Sequence, residues 1–144
     1  MAIKQWGMVW VLVMMSTGAQ ACDVTVSGAW LRLPPPVSDT AAAYMTLSNH
    51  CEQSKILQSI SSPQASMTVM HDGNMQMMKS LVLTSGQDFL FHPKAAHVML
   101  MGLQYPIRKR SHVSLVLHWQ DGTSQRVSVP VKDMRGQGRH AMKM

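Results

Sequence analysis

From position 23 to position 131 the chain never sustains the three-and-four apolar spacing of a helix. It breaks instead into short stretches of alternating apolar and polar residues, most of them closed by Gly, Pro, Asn or Ser. Alternation with period two sends successive side chains to opposite faces, which is the signature of a half-buried strand. The first strand is expected at 24–33, stopped by Pro34-Pro35-Pro36, because consecutive prolines have no N–H to give to a ladder. Further strands are expected at 42–48, ending on Asn49, and at 56–60, 66–71, 75–83, 88–92 and 97–103. Segments 113–119 and 125–131 form a closing hairpin around Asp121-Gly122. This succession of short strands predicts an all-β fold, a two-sheet sandwich of Greek-key type, in one domain over 22–131.

The two ends read differently. Lys4, an apolar run over 6–15 and the small residues of Ala19-Gln20-Ala21 make 1–21 a secretory signal peptide, so the mature chain begins near Cys22. That run is shorter than the ~20 residues needed to cross a bilayer, and no later stretch is longer, so no span is expected in the mature chain. A lipid anchor on Cys22 is the less favoured alternative, since the aliphatic residue usual three positions upstream is missing. The tail 132–144 carries Gly136 and Gly138 and has no partner strand, and is expected to be flexible.

Cys22 and Cys51 would both reach an oxidising compartment, where an even cysteine count favours a structural disulfide over a thiolate metal ligand. The formal charge of +6 is dispersed: Arg108, Lys109 and Arg110 share one loop, and Lys132, Arg135, Arg139 and Lys143 lie in the tail. Basic residues are not interleaved with aromatics, so nucleic acid is not an expected partner.

Methionine is the outlying residue type, fifteen in all, and only Met1, Met8, Met14 and Met15 belong to the leader. A methionine on an apolar strand is ordinarily core filler. Here, however, two separate segments each combine His with Met on one strand face, which core packing does not require. In His97-Val98-Met99-Leu100-Met101, alternation puts His97, Met99 and Met101 together. In the segment around Asp72-Gly73-Asn74 the face depends on the turn. A three-residue turn pairs His71 with Met75 and aligns Met67, Val69 and Met77; a two-residue Asp-Gly turn pairs Met70 with Met75 and sets His71 opposite Asn74. The three-residue turn gathers more donors and is preferred. Thioether and imidazole form a soft to borderline donor set that suits Cu(I) and ignores Mg²⁺ and Ca²⁺. A blue-copper electron carrier is disfavoured by the lack of cysteine in both segments. An enzyme is disfavoured because no activated nucleophile or carboxylate dyad accompanies them. His50, His92, His112 and His118 are expected to be structural or surface residues.

Ala29-Trp30-Leu31-Arg32 with Pro34-Pro35, then 43–49 (AYMTLSN) and 97–103 (HVMLMGL), resemble the PCu(A)C family of periplasmic copper chaperones over nearly all of the mature chain before the tail. The resemblance implies a cupredoxin-like β-sandwich that binds copper in the periplasm; a monomer is expected. It implies delivery of that copper, typically toward the copper centre of cytochrome c oxidase or through a second copper chaperone. The family's motif is His or Met, ten residues, Met, twenty-one residues, then His-x-Met. Anchored on the Asp-Gly turn, it falls on Met67, Met77, His97 and Met99 with both spacings shortened, leaving His71, Met75 and Met101 as alternates. His140-Ala141-Met142-Lys143-Met144 adds a second His-x-Met, read as either a solvated end or an auxiliary arm in which His140, Met142 and Met144 take copper, with Cu(II) at the imidazole. Rival readings are a copper storage or resistance protein and a metal-free immunoglobulin-like interaction module.

Overall fold

The computed structural model describes residues 22–134; the leader read at 1–21 and the tail donors His140, Met142 and Met144 lie outside the described residues. Ten strands follow in order: β1 (Val24–Arg32), β2 (Ala41–Asn49), β3 (Lys55–Ser61), β4 (Ala65–His71), β5 (Met77–Met78), β6 (Leu81–Leu83), β7 (Asp88–Phe91), β8 (His97–Leu103), β9 (His112–Trp119) and β10 (Ser124–Lys132). One sheet runs β5-β4-β8-β2-β1, with β7 lying beside β8 along the same edge of β2; the other runs β10-β9-β3-β6. A short parallel pairing of β1 with β10, Leu31 opposite Val131 and Arg32 opposite Lys132, joins the two. The connections β2–β3, β3–β4, β5–β6, β6–β7 and β8–β9 each cross from one sheet to the other, giving the Greek-key sandwich expected from the strand pattern.

Alternation decides which face of each strand enters the core. On β9, Val113, Leu115, Leu117 and Trp119 are buried while Ser114, Val116 and His118 are only partly so. They meet Leu31, Ala43, Met45 and Leu47 of the facing sheet, together with Leu57, Leu83 and Val129. Each fully buried leucine contributes about 2–3 kcal/mol in apolar transfer. On β1 the register against β2 shifts between Ser27 and Trp30, where Gly28 takes a left-handed φ of 60° and forms a bulge that other residues would strain to adopt.

The far end of β2 is pinned by Asn49, which is almost wholly buried. Its amide donates to the carbonyls of Gln53 and Leu83 at 3.0 Å each, and its Oδ1 accepts the Cys51 N–H at 2.9 Å. Leu83 belongs to the opposite sheet, so this side chain ties the two layers together. Beside it Cys22 and Cys51 form the expected disulfide, with Cα atoms 5.1 Å apart. In the β9–β10 turn, Lys55 donates to Asp121 at 2.7 Å and Thr123 donates to the same carboxylate, and these bonds hold its pKa well below the usual range.

Two expectations need correction. The single strand read at 75–83 is two: β5 pairs with β4 in one sheet and β6 with β3 in the other. The reason is phase. Met78 packs against the core and so does Leu81, three positions later, and an odd step cannot be kept on one face of a straight strand. The hairpin turn is likewise longer than three residues. His71 pairs with Met77 and Met70 with Met78, leaving 72–76 as a five-residue loop. Asp72 accounts for it: Oδ1 accepts the N–H groups of Asn74 at 2.8 Å and Gln76 at 3.0 Å, and the Asp72 N–H reaches the Gln76 carbonyl. An aspartate that satisfies two loop amides favours the longer turn.

Candidate metal centre

The corrected register sets the site. β4 lies between β5 and β8, and direct partners across these ladders are Met77–His71–His97 in one row, Val69–Met99 in the next and Met67–Met101 in a third. Direct partners point to the same face, so Met67, Val69, His71, Met77, His97, Met99 and Met101 all share one side of the sheet. The opposite side carries Met70, Val98 and Leu100 into the core. Neighbouring strands are about 4.8 Å apart and alternate residues about 6.7 Å. On that grid His71, Met77, His97 and Met99 fall within two adjacent rows, whereas Met67 lies four residues down β4 from His71, about 13 Å along the strand.

The two imidazoles stand next to each other, with ring centroids 5.3 Å apart and planes inclined by 59°. His97 is buried, and its Nδ1 lies 3.4 Å from the Ala95 carbonyl. A carbonyl can only accept, so this contact leaves Nδ1 as the donor and Nε2 bare. His71 shows the reverse situation: its Nδ1 is shut off from solvent and has no hydrogen-bond partner. A buried polar atom without a partner is unusual in a folded protein and is one way an absent ion reveals itself.

Of the sequence-predicted donors, the structure thus brings together His71, Met77, His97 and Met99. Met101 is one row further, opposite Met67, which is half exposed. Met75 leaves the strand face altogether; it sits in the 72–76 loop with a left-handed φ of 64° and is two-thirds exposed. His50 and His118 bond to the hydroxyls of Thr25 and Ser61, well away from this strip. One contributor went unread in the sequence, the Ala95 carbonyl beside His97, for which nothing in the sequence gives a signal. Asp72 was read as the head of the turn but not as its side-chain cap.

Among the described residues no three His, Cys, Asp or Glu side chains converge on one point. Thioether sulfur stands beside imidazole nitrogen on this face, a donor set that suits copper better than the hard cations. The strip is also open. Met77 is 67% exposed. Such a face offers donors to an incoming ion without enclosing it.

Residues 24–131 match the family model described as "LpqE-like: Putative lipoprotein LpqE-like". The "Putative lipoprotein Lxx21020" of Leifsonia xyli subsp. xyli (strain CTCB07) is 32% identical over 127 residues, covering 83% of this chain and 75% of that protein. Among solved structures, the copper-bound PCuAC domain from PmoF2 superposes with a TM-score of 0.71 at 17% identity, over 78% of this chain and 96% of that one. CuI-DR1885 from Deinococcus radiodurans, solved in solution, gives a TM-score of 0.70 at 32% identity, over 83% of this chain and 85% of that one. The sandwich is thus the cupredoxin-like fold of PCuAC domains.

Proposed function

The chain belongs to the LpqE-like family, and from that premise we propose that it is an exported copper chaperone whose cargo is Cu(I), held by His71, Met77, His97 and Met99. The observation that carries this reading is the row Met77–His71–His97, with Met99 on the adjoining rung of the same sheet face. Homology to a protein solved with CuI and the fold of a copper-bound PCuAC domain support it. The set differs from the one expected from the sequence by exchanging Met67 for His71. The ladder spacing favours that exchange, because the donors to one ion must surround one point and Met67 stands two rows away.

An open face suits a carrier. With Met77 and Met75 exposed at the sheet edge, an incoming donor can replace one ligand at a time, and thioethers bind without needing to lose a proton. The acceptor is proposed to be the copper centre of cytochrome c oxidase, reached directly or through a second chaperone. Storage is the rival reading, and transfer from the loaded chain to an apo oxidase fragment separates the two. We assign no catalytic role. The formed disulfide supports an oxidising, periplasmic location, and it engages the sulfur that a lipid anchor on Cys22 would need. The tail donors His140, Met142 and Met144 are proposed as an auxiliary arm.

The test is anaerobic Cu(I) titration of the mature chain against a competing chelator, with alanine variants of each donor. Wild type is expected to bind one equivalent tightly at the strip, and His71→Ala, Met77→Ala, His97→Ala and Met99→Ala each to weaken it by about tenfold or more, with Met67→Ala and Met75→Ala within about threefold. Loss with Met67→Ala but not with His71→Ala restores the set expected from the sequence. Wild-type binding no tighter than about micromolar rejects copper carriage.

A further inference from the structure

We infer that one end of the sandwich, built from the loops 33–40 and 104–111, docks on the surface of an anionic phospholipid bilayer. The charge of the chain is divided between its two ends. Asp23, Glu52, Asp88 and Asp121 lie where β1 and β10 begin and β2 and β9 end, around the disulfide. At the opposite end Arg108, Lys109 and Arg110 are all exposed on one loop, and Lys132 closes β10 beside Leu33, whose N–H reaches the Lys132 carbonyl at 2.9 Å. Two carboxylates stand among them: Asp39 accepts the Thr40 hydroxyl at 3.2 Å, and Asp133 pairs with Lys109 at 3.6 Å. The balance is positive, and the sequence beyond adds Arg135, Arg139 and Lys143. Arg110 holds a left-handed φ of 66°, so a charged side chain stands in a turn position that the backbone would ordinarily give to Gly or Asn.

The same end exposes apolar side chains. The Pro35 carbonyl accepts the Ser38 N–H at 3.0 Å, closing a turn with Pro36 and Val37 at its tip, and Val37 is 99% exposed. Proline at the first tip position sets the turn in advance, so Val37 is held outward. Tyr105 is 65% exposed on the neighbouring loop. The Leu103 N–H bonds to the Asp39 carbonyl at 2.9 Å and keeps the two loops side by side, with Leu33, Pro34 and Ile107 between them. A protein partner would need a complementary hollow for each projecting side chain, whereas a bilayer interface receives them without one. Tyrosine suits the headgroup level, and apolar insertion together with basic residues binds where either alone is weak. Each Lys or Arg near an anionic surface adds about fivefold to the partition. His97 and Leu103 stand at opposite ends of β8, about 20 Å apart, so a docked tip leaves the row at His97 in water. Cys22 lies beyond the far end of β1, a strand about 26 Å long, so the contact owes nothing to a lipid on that cysteine.

The experiment is flotation of the full mature chain with vesicles of phosphatidylcholine alone, and of phosphatidylcholine with roughly a third phosphatidylglycerol, at low and high salt. Binding is expected to be about tenfold or more tighter to the anionic vesicles and to fall as salt is raised. Val37→Ser with Tyr105→Ser should weaken it by about tenfold. Arg108→Gln with Arg110→Gly, in which glycine accepts the left-handed φ, should weaken it by about twentyfold. An unchanged thermal midpoint and near-ultraviolet circular dichroism establish that both variants are folded. Equal binding to the two vesicle types overturns the inference. A loss below about twofold in either variant also overturns it, because the tip then acts without its apolar or its basic part. Binding to soluble polyglutamate that matches the anionic vesicles and ignores Val37→Ser with Tyr105→Ser assigns this end to an acidic protein and overturns it as well.

Discussion

Thr68 carries a hydroxyl that is shut off from solvent and has no hydrogen-bond partner, on the same strand face as the buried Met70. Withdrawing a hydroxyl from water without compensation costs about 1–3 kcal/mol, and valine matches threonine in shape without that cost. Thr68→Val is therefore expected to raise the thermal midpoint by about 2–5 °C in a calorimetric scan and to leave Cu(I) affinity unchanged, since Thr68 faces away from the donor strip. A lower midpoint would mean the hydroxyl has a partner in solution. At this scale the sequence discloses identity but not rank. His97 and Met99 were legible because strict alternation puts both on one face whatever the register. His71 stood only as an alternate, because its standing depends on which residue lies across the ladder from it, and that is fixed by the loop at 72–76. The Nδ1 atom that singles it out is visible only in three dimensions.

The loop 72–76 shows how an element places a side chain. Met77 is held opposite His71 because Asp72 gathers the Asn74 and Gln76 amides and so sets the length of the turn. Hydrogen bonds to a charged acceptor are worth about 1.5–3 kcal/mol each, and their loss here frees the short β5 strand before anything else. Asp72→Ala should weaken Cu(I) binding by about tenfold although it removes no donor, and Asp72→Asn, which keeps the accepting oxygen, should restore most of it. Equal affinities for the two variants would show that the loop has no part in placing Met77. The closing hairpin β9–β10 was readable to within a residue at each end because alternation persists up to an Asp-Gly turn that permits few geometries. The stretch 75–83 was not. Its apolar residues look continuous in sequence, and only the three-residue step from Met78 to Leu81 betrays that the chain is passing between sheets.

At the scale of the molecule, the sandwich followed from the run of short strands, but its closure did not. The parallel contact of β1 with β10 joins residues a hundred positions apart, and no local pattern announces such a pairing. The disulfide acts at the far end of the sheet from the donors. Asn49 lies six residues along β2 from Ala43, the partner of Val98, a distance of about 20 Å. A bond between cysteines 29 positions apart stabilises by about 3–4 kcal/mol through the entropy of the unfolded chain. The double variant Cys22→Ser with Cys51→Ser should lose about that much in urea unfolding while binding Cu(I) as before; a parallel loss of copper affinity would mean the two ends of the sheet are coupled. The donors themselves occupy the opposite extreme. The row ends on β5, a strand of two residues at the margin of its sheet, with one neighbour and solvent beyond. Regions of that kind open at a small fraction of the global unfolding free energy. The amides of Met77 and Met78 should then exchange with deuterium far faster than those of β9, and a bound ion should slow them. If Met77 holds the proposed ion, its release becomes an excursion of the margin, its rate set by how often two residues come loose while the core stays closed.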